Sequence, residues 1–215
     1  ILNIAKFADE NWKCRSSVAT RKTESGAVGT KNFGFKIDEN LMEFYVVATD
    51  VETGKPEYKK IINCSIQIDE LRASGSMPFV SKPVKIDKDY YLDGALGDSI
   101  PVLKMKEMGY EKIIVVLTRP MEYRKKKSNQ LLPKIVYKKY PNLINAINTR
   151  YIKYNDTLEQ IIDMENKKEI FVLRPSKDLN IKRVEKDEEK LKAMYELGIK
   201  DFKDNLKEIK KYLKN

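Results

Sequence analysis

None of the 215 residues is histidine. Ser-His-Asp and Cys-His catalysis, the His-Glu-x-x-His zinc motif and imidazole proton shuttles are therefore closed to this chain, and any hydrolytic chemistry must use another base. The carboxylate whose position best suits that task is Asp93. Val84 to Ile86 and Tyr90 to Leu92 read as two short strands joined by Asp87-Lys88-Asp89, so Asp93 falls where the second strand ends and the chain turns at Gly94. In α/β proteins the ends of strands are where active sites form. Alone, Asp-Gly is equally an ordinary turn, so its surroundings must decide.

Other matches fail on chemical grounds. Gly97-Asp98-Ser99-Ile100 spells the nucleophile block of the GDSL hydrolases, but that block works with a histidine and sits near an N-terminus. Gly26-Ala27-Val28-Gly29-Thr30-Lys31 has the ingredients of a phosphate loop in the wrong order, since that loop needs Gly-Lys-Ser/Thr opening a helix. The two cysteines, Cys14 and Cys64, lie far apart without metal-ligand spacing, which predicts reduced structural thiols in a cytoplasmic setting. Neither a metal nor a cofactor is expected. The basic run Arg124-Lys125-Lys126-Lys127 lacks interleaved aromatic residues on which bases could stack and reads as a solvated turn, so no specific nucleic-acid partner is expected.

The elements that must position Asp93 come from an ordinary globular composition, 41% apolar with a high charged share of 34%. The length suits one domain with an appendage or two small ones. Lys plus Arg exceed Asp plus Glu by 42 − 32 = +10, which favours anionic partners without choosing between phospholipid head groups and nucleic acid. No apolar run approaches the roughly 18 residues of a membrane span, and Ile1-Leu2-Asn3-Ile4-Ala5-Lys6 lacks the pattern of a signal peptide, so neither spanning nor secretion is expected.

Residues 1–40 keep no period and stay unassigned. Phe44 to Thr49 is a continuous β-branched and aromatic run closed by Glu52-Thr53-Gly54-Lys55-Pro56, as in a strand buried on both faces and then a turn. Lys112 to Thr118 and Ile170 to Leu173 repeat the pattern. Three such strands predict an α/β sheet. Helices over Ile66–Ala73 and Pro101–Met108 between the first two predict a parallel arrangement. Beyond Arg119-Pro120, Leu143, Ile147, Tyr151, Tyr154, Leu158 and Ile161 recur at helical spacing. So do Leu191, Met194, Phe202, Leu206, Ile209 and Leu213, with Gly198 expected to bend or divide the helix. Both stripes read as core, because their polar faces carry both charge signs.

The order Ala73-Ser74-x-x-x-Pro78, Pro83-Val84, Tyr91-x-Asp93-Gly94-Ala95 and Pro101-Val102 resembles the C-terminal half of the catalytic domain of patatin-like phospholipases. Val47-Ala48-Thr49-Asp50 with Thr53-Gly54-Lys55-Pro56 is similar to the upstream block of the bacterial branch. Tyr154-Asn155-Asp156-Thr157-Leu158 and Phe171-Val172-Leu173-Arg174-Pro175-Ser176 are similar to the extension many bacterial members carry. The resemblance implies part of a three-layer α/β sheet with flanking helices over 41–125 and a mainly helical extension with one short strand over 126–215, joined near 120–130.

It also implies a serine lipid acyl hydrolase working through a Ser-Asp dyad on a lipid or ester substrate. Asp93 matches the dyad base, with Gly94 and Ala95 as its motif neighbours. A base of this kind fits the missing histidine, and because a carboxylate is weak in that role the resemblance implies heavy reliance on an oxyanion hole. No two of the nine glycines are adjacent and no Gly-x-Ser-x-Gly occurs, so the nucleophile elbow is expected outside these residues. Ser16, Ser17 and Ser25 have no elbow context, and Ser74 and Ser76 belong to the block before Asp93. The alternative is a non-catalytic truncated paralogue whose Lys-rich surface meets anionic membrane from the cytoplasm.

Overall fold

The computed structural model of the chain describes residues 21–22, 28–29, 43–64, 66–181 and 185–214. In chain order the strands are β1 (Arg21–Lys22), β2 (Val28–Gly29), β3 (Phe44–Asp50), β4 (Pro56–Ile61), β5 (Val84–Ile86), β6 (Asp89–Asp93), β7 (Ile113–Val116) and β8 (Ile170–Leu173). The helices are α1 (Ile68–Ser74), α2 (Val102–Glu107), α3 (Leu131–Val136), α4 (Pro141–Asn166) and α5 (Glu188–Lys214), with a 3-10 turn at Gly94–Leu96. Mixed strands and helices ending in a long C-terminal helix agree with a patatin-like α/β fold. Two compact units result: residues up to 99 with 129–150, and 100–128 with residues from 151 onward. Cys14, Ser16, Ser17 and Ser25 lie outside the described residues.

In the first unit the sheet order is β4-β3-β6-β5, and every neighbouring pair is antiparallel. The expected parallel relation between β3 and β7 is not formed. Both edges of β3 are taken, by β4 across a tight turn and by β6. The turn closes because the Asp50 N–H donates to Lys55 O at 3.0 Å, Gly54 N–H to Asp50 O at 2.9 Å, and Thr53 N–H to the Asp50 carboxylate at 2.6 Å. Its strand β4, Pro-Glu-Tyr-Lys-Lys-Ile, escapes an apolar criterion because it is an edge strand whose side chains are mostly polar.

Leu92, Leu96, Val51, Tyr137, Leu143 and Ile147 pack on one side of this sheet unit, and Ala48, Ala73, Val84 and Tyr91 form a second cluster. Val46, Ile61 and Cys64 form a third. Burial pushes the Cys64 thiol above its ordinary pKa, which suits a structural residue.

The second unit contains the parallel pair, β7 beside β8 with Ile113 opposite Ile170 and Val116 opposite Leu173. Its core gathers Val102, Ile113, Val115, Leu158, Ile161, Met164, Ile170 and Val172. The residues resembling the bacterial extension act here as fasteners. The Asn155 carboxamide accepts from Lys125 N–H at 2.8 Å and donates to Lys125 O at 3.1 Å; Arg174 pairs with Glu165; Ser176 N–H donates to buried Asp201 at 3.0 Å. The basic run is partly committed to the same task, since Arg124 forms a two-pronged bond to Glu159 and Lys125 lies over the Tyr154 ring at 4.2 Å. Tyr212 ties α5 to both strands, its hydroxyl accepting from Ile113 N–H and meeting Glu169 O, each at 3.0 Å.

Contrary to expectation, Gly198 does not divide the C-terminal helix. Asp187 caps it, accepting from Glu189 N–H at 3.1 Å and Lys190 N–H at 3.2 Å, and the buried Leu197, Asp201 and Ile209 carry it through. A methyl group at position 198 would meet nothing within 4 Å. Gly198→Ala is therefore expected to stabilise the protein by about 0.5–1 kcal/mol, read as a raised urea midpoint. A lowered midpoint would mean the helix needs its glycine.

Candidate active site

The site begins with a register. β6 enters the sheet beside β3 with Ala48 opposite Asp93, Thr49 opposite Leu92 and Asp50 opposite Tyr91. Asp93 thus ends the strand in the middle of the sheet and, at 8% exposure, is nearly buried. Its backbone is held on two sides, the N–H donating to Ser76 O at 2.8 Å and the carbonyl accepting from the Thr49 hydroxyl at 2.9 Å. The side chain then caps the 3-10 turn, one carboxylate oxygen accepting from Ala95 N–H at 2.9 Å. Among the described residues the other oxygen has no hydrogen-bond partner. Among the described residues, the carboxylate is thus held by one backbone donor, Ala95 N–H.

Gly94 explains how the chain can turn away so tightly. A Cβ there would lie 2.1 Å from the Val47 carbonyl oxygen and 2.7 Å from the Val47 Cβ, so only glycine lets the strand exit against β3. Ala95 contributes its N–H to Asp93 and its carbonyl to the Ser99 hydroxyl at 2.7 Å. The residues that stood out in the sequence therefore meet at one point: Asp93, Gly94 and Ala95 are contiguous, and Gly97-Asp98-Ser99-Ile100 closes the same turn. The Asp98 carboxylate accepts from the Tyr58 hydroxyl at 2.7 Å.

Residues 37–105, which contain this turn, match the family model described as Patatin-like phospholipase. Over this stretch the chain is similar to patatin-like phospholipases. A second match, over 140–214, is to a Domain of unknown function (DUF6363). The matched stretch, similar to a family of lipid hydrolases, runs from before β3 into α2 and includes the residues that hold Asp93. No helix among the described residues is long and apolar enough to cross a membrane.

Thr49, part of the Val47-Ala48-Thr49-Asp50 block, braces the turn. Wholly buried, its hydroxyl is shared as donor between Asp93 O and Gly94 O (3.3 Å) and accepts from Gly97 N–H at 3.0 Å, supplementing the bonds that Gly94 O accepts from Gly97 N–H and Asp98 N–H within the turn. Its bracing role is signalled in the sequence only by a hydroxyl in an otherwise apolar run within that block. On the face that Asp93 shares with Ala48 and Glu57, Tyr91 donates to Glu57 at 2.9 Å and Lys59 pairs with the same carboxylate at 2.9 Å. Burial opposes the Lys59 charge, but Glu57 and Tyr91 outweigh it and raise its pKa; burial, then Glu57, raise that of Tyr91.

Thr49→Val keeps the shape and removes the shared hydroxyl, taking the side-chain donor from the buried Asp93 carbonyl while Gly94 O and Gly97 N–H keep their bond to each other. The expected loss is about 1–3 kcal/mol of unfolding free energy in urea, and Gly94→Ala is expected to cost at least as much through its clash with β3. Wild-type midpoints for both would remove the packing argument for the turn.

Proposed function

We propose that the protein is a patatin-like serine lipid acyl hydrolase, acting on a phospholipid or other carboxylic ester through a Ser-Asp dyad whose base is Asp93. The observation that carries this is the nearly buried carboxylate at the end of β6, one oxygen of which accepts from Ala95 N–H while the other has no hydrogen-bond partner among the described residues. In the proposed reaction Asp93 takes the proton from the serine hydroxyl as its oxygen bonds to the ester carbonyl carbon. The tetrahedral intermediate collapses, the carbon–oxygen bond to the leaving alcohol breaks, and Asp93 returns the proton to that alcohol. Water then attacks the acyl-serine with Asp93 again as base, releasing the fatty acid and restoring the serine.

The serine itself is proposed to lie outside these 215 residues, in keeping with the absence of Gly-x-Ser-x-Gly from them. Two described serines flanking Asp93 in sequence do not suit the role: Ser76 and Ser99 donate their hydroxyls to the Arg72 and Ala95 carbonyls. On this reading residues 41–125 are the C-terminal half of a bacterial-type catalytic domain and 126–215 its extension, working in the cytoplasm at the membrane periphery.

Asp93→Asn in the intact gene product is the test. Asparagine keeps the cap to Ala95 N–H, so the fold should survive while esterase activity falls by roughly 10²–10⁴-fold. Activity retained at the wild-type level removes Asp93 from the mechanism.

A further inference from the structure

Helix α3 is built with its apolar face outward. Its buried residue is Pro133, with Tyr137 buried just beyond its end, whereas Leu131, Leu132, Ile135 and Val136 are exposed. At helical spacing these four share one arc of about 140°. Leu131 is 67% and Ile135 72% exposed. Alongside runs the loop from Met77 to Lys82. The Phe79 ring lies 5.5 Å from that of Tyr137, and the Phe79 N–H donates to the Tyr137 hydroxyl at 3.1 Å. Phe79 holds a φ of 68°, a left-handed conformation costly for an aromatic residue, and it presents exposed Val80 next to it, 76% exposed.

An exposed apolar patch of this kind on two tethered segments marks an interaction surface. Charge identifies the occupant. Lys82, Lys134, Lys138 and Lys139 are all exposed, and the chain carries no acidic residue between Glu70 and Asp87 or between Glu122 and Asp156. A solvated helix face mixes both signs, as α5 does. Apolar side chains on segments that carry lysines and no carboxylates complement an anionic lipid surface, where the former enter the acyl boundary and the latter meet the head groups.

We propose that α3 and the 77–82 loop dock this protein on an anionic bilayer. The choice of lipid as occupant rests on the hydrolase reading. Ser76, whose carbonyl accepts from Asp93 N–H, immediately precedes this loop, so the docking segment is joined directly to the backbone of the candidate base.

The experiment is co-sedimentation of the purified 215-residue chain with phosphatidylcholine vesicles, with and without phosphatidylglycerol. Binding is expected only with the anionic lipid, weakening as salt is raised. Ile135→Ser/Val136→Ser and Lys134→Glu/Lys138→Glu, both confined to exposed positions, should each weaken it about tenfold or more while leaving the circular dichroism spectrum unchanged. Asp93→Asn should bind like the wild type. Vesicle binding unaltered in both patch variants overturns the proposal. So does a dimer that Ile135→Ser/Val136→Ser converts to monomer without loss of vesicle binding, since the patch would then join copies of the chain. Patch-dependent binding together with full esterase activity of Asp93→Asn in the intact protein sinks the catalytic reading alone.

Discussion

The closeness of Gly94 to β3 is the constraint on which the rest depends. A side chain at that position would overlap the Val47 carbonyl, so the strand carrying Asp93 can leave the sheet there only as glycine. Leaving so sharply exposes backbone polar groups in a buried place. The Thr49 hydroxyl helps to satisfy them, and the Asp93 carboxylate caps the 3-10 turn that begins at Gly94. Orientation of the carboxylate is thus a consequence of backbone accounting. A side chain held by packing and a cap needs no reorganisation to act as a base.

The antiparallel sheet serves that turn from both directions. β3 is paired on both edges and its Ala48-Thr49-Asp50 end is buried, so the strand opposite Asp93 cannot shift register without moving a buried row to the wrong face. On the other side of Asp93, Ser76 leads directly into the apolar 77–82 loop. One short connection therefore holds the backbone of the candidate base and begins the surface assigned here to lipid.

Much of this was legible in the residues. Phe44–Thr49, Val84–Ile86 and Ile170–Leu173 form strands where apolar runs and turns required them, and the stripe from Leu143 to Ile161 lies within one long helix. The motif block around Asp93 was readable because its residue types are constrained by close approach and capping. Three features were not. β4 has an edge strand's polar sequence, so its pairing with β3 depends on the turn at Gly54 and not on hydrophobicity. α3 buries little beyond Pro133 and shows four apolar residues, which reverses the pattern used to find helices. Gly198 looked like a breaker, yet capping and buried contacts on either side outweigh a propensity cost of about 1 kcal/mol.

The central claim is that Asp93 activates a serine encoded outside these 215 residues. It is tested most directly by treating the intact gene product with a fluorophosphonate, which labels only an activated serine, and mapping the labelled peptide. The account predicts one modified serine within a Gly-x-Ser-x-Gly sequence beyond the present chain, with labelling lost when Asp93 is replaced by asparagine. Modification of a serine within the chain, or labelling that proceeds equally without the Asp93 carboxylate, would contradict it.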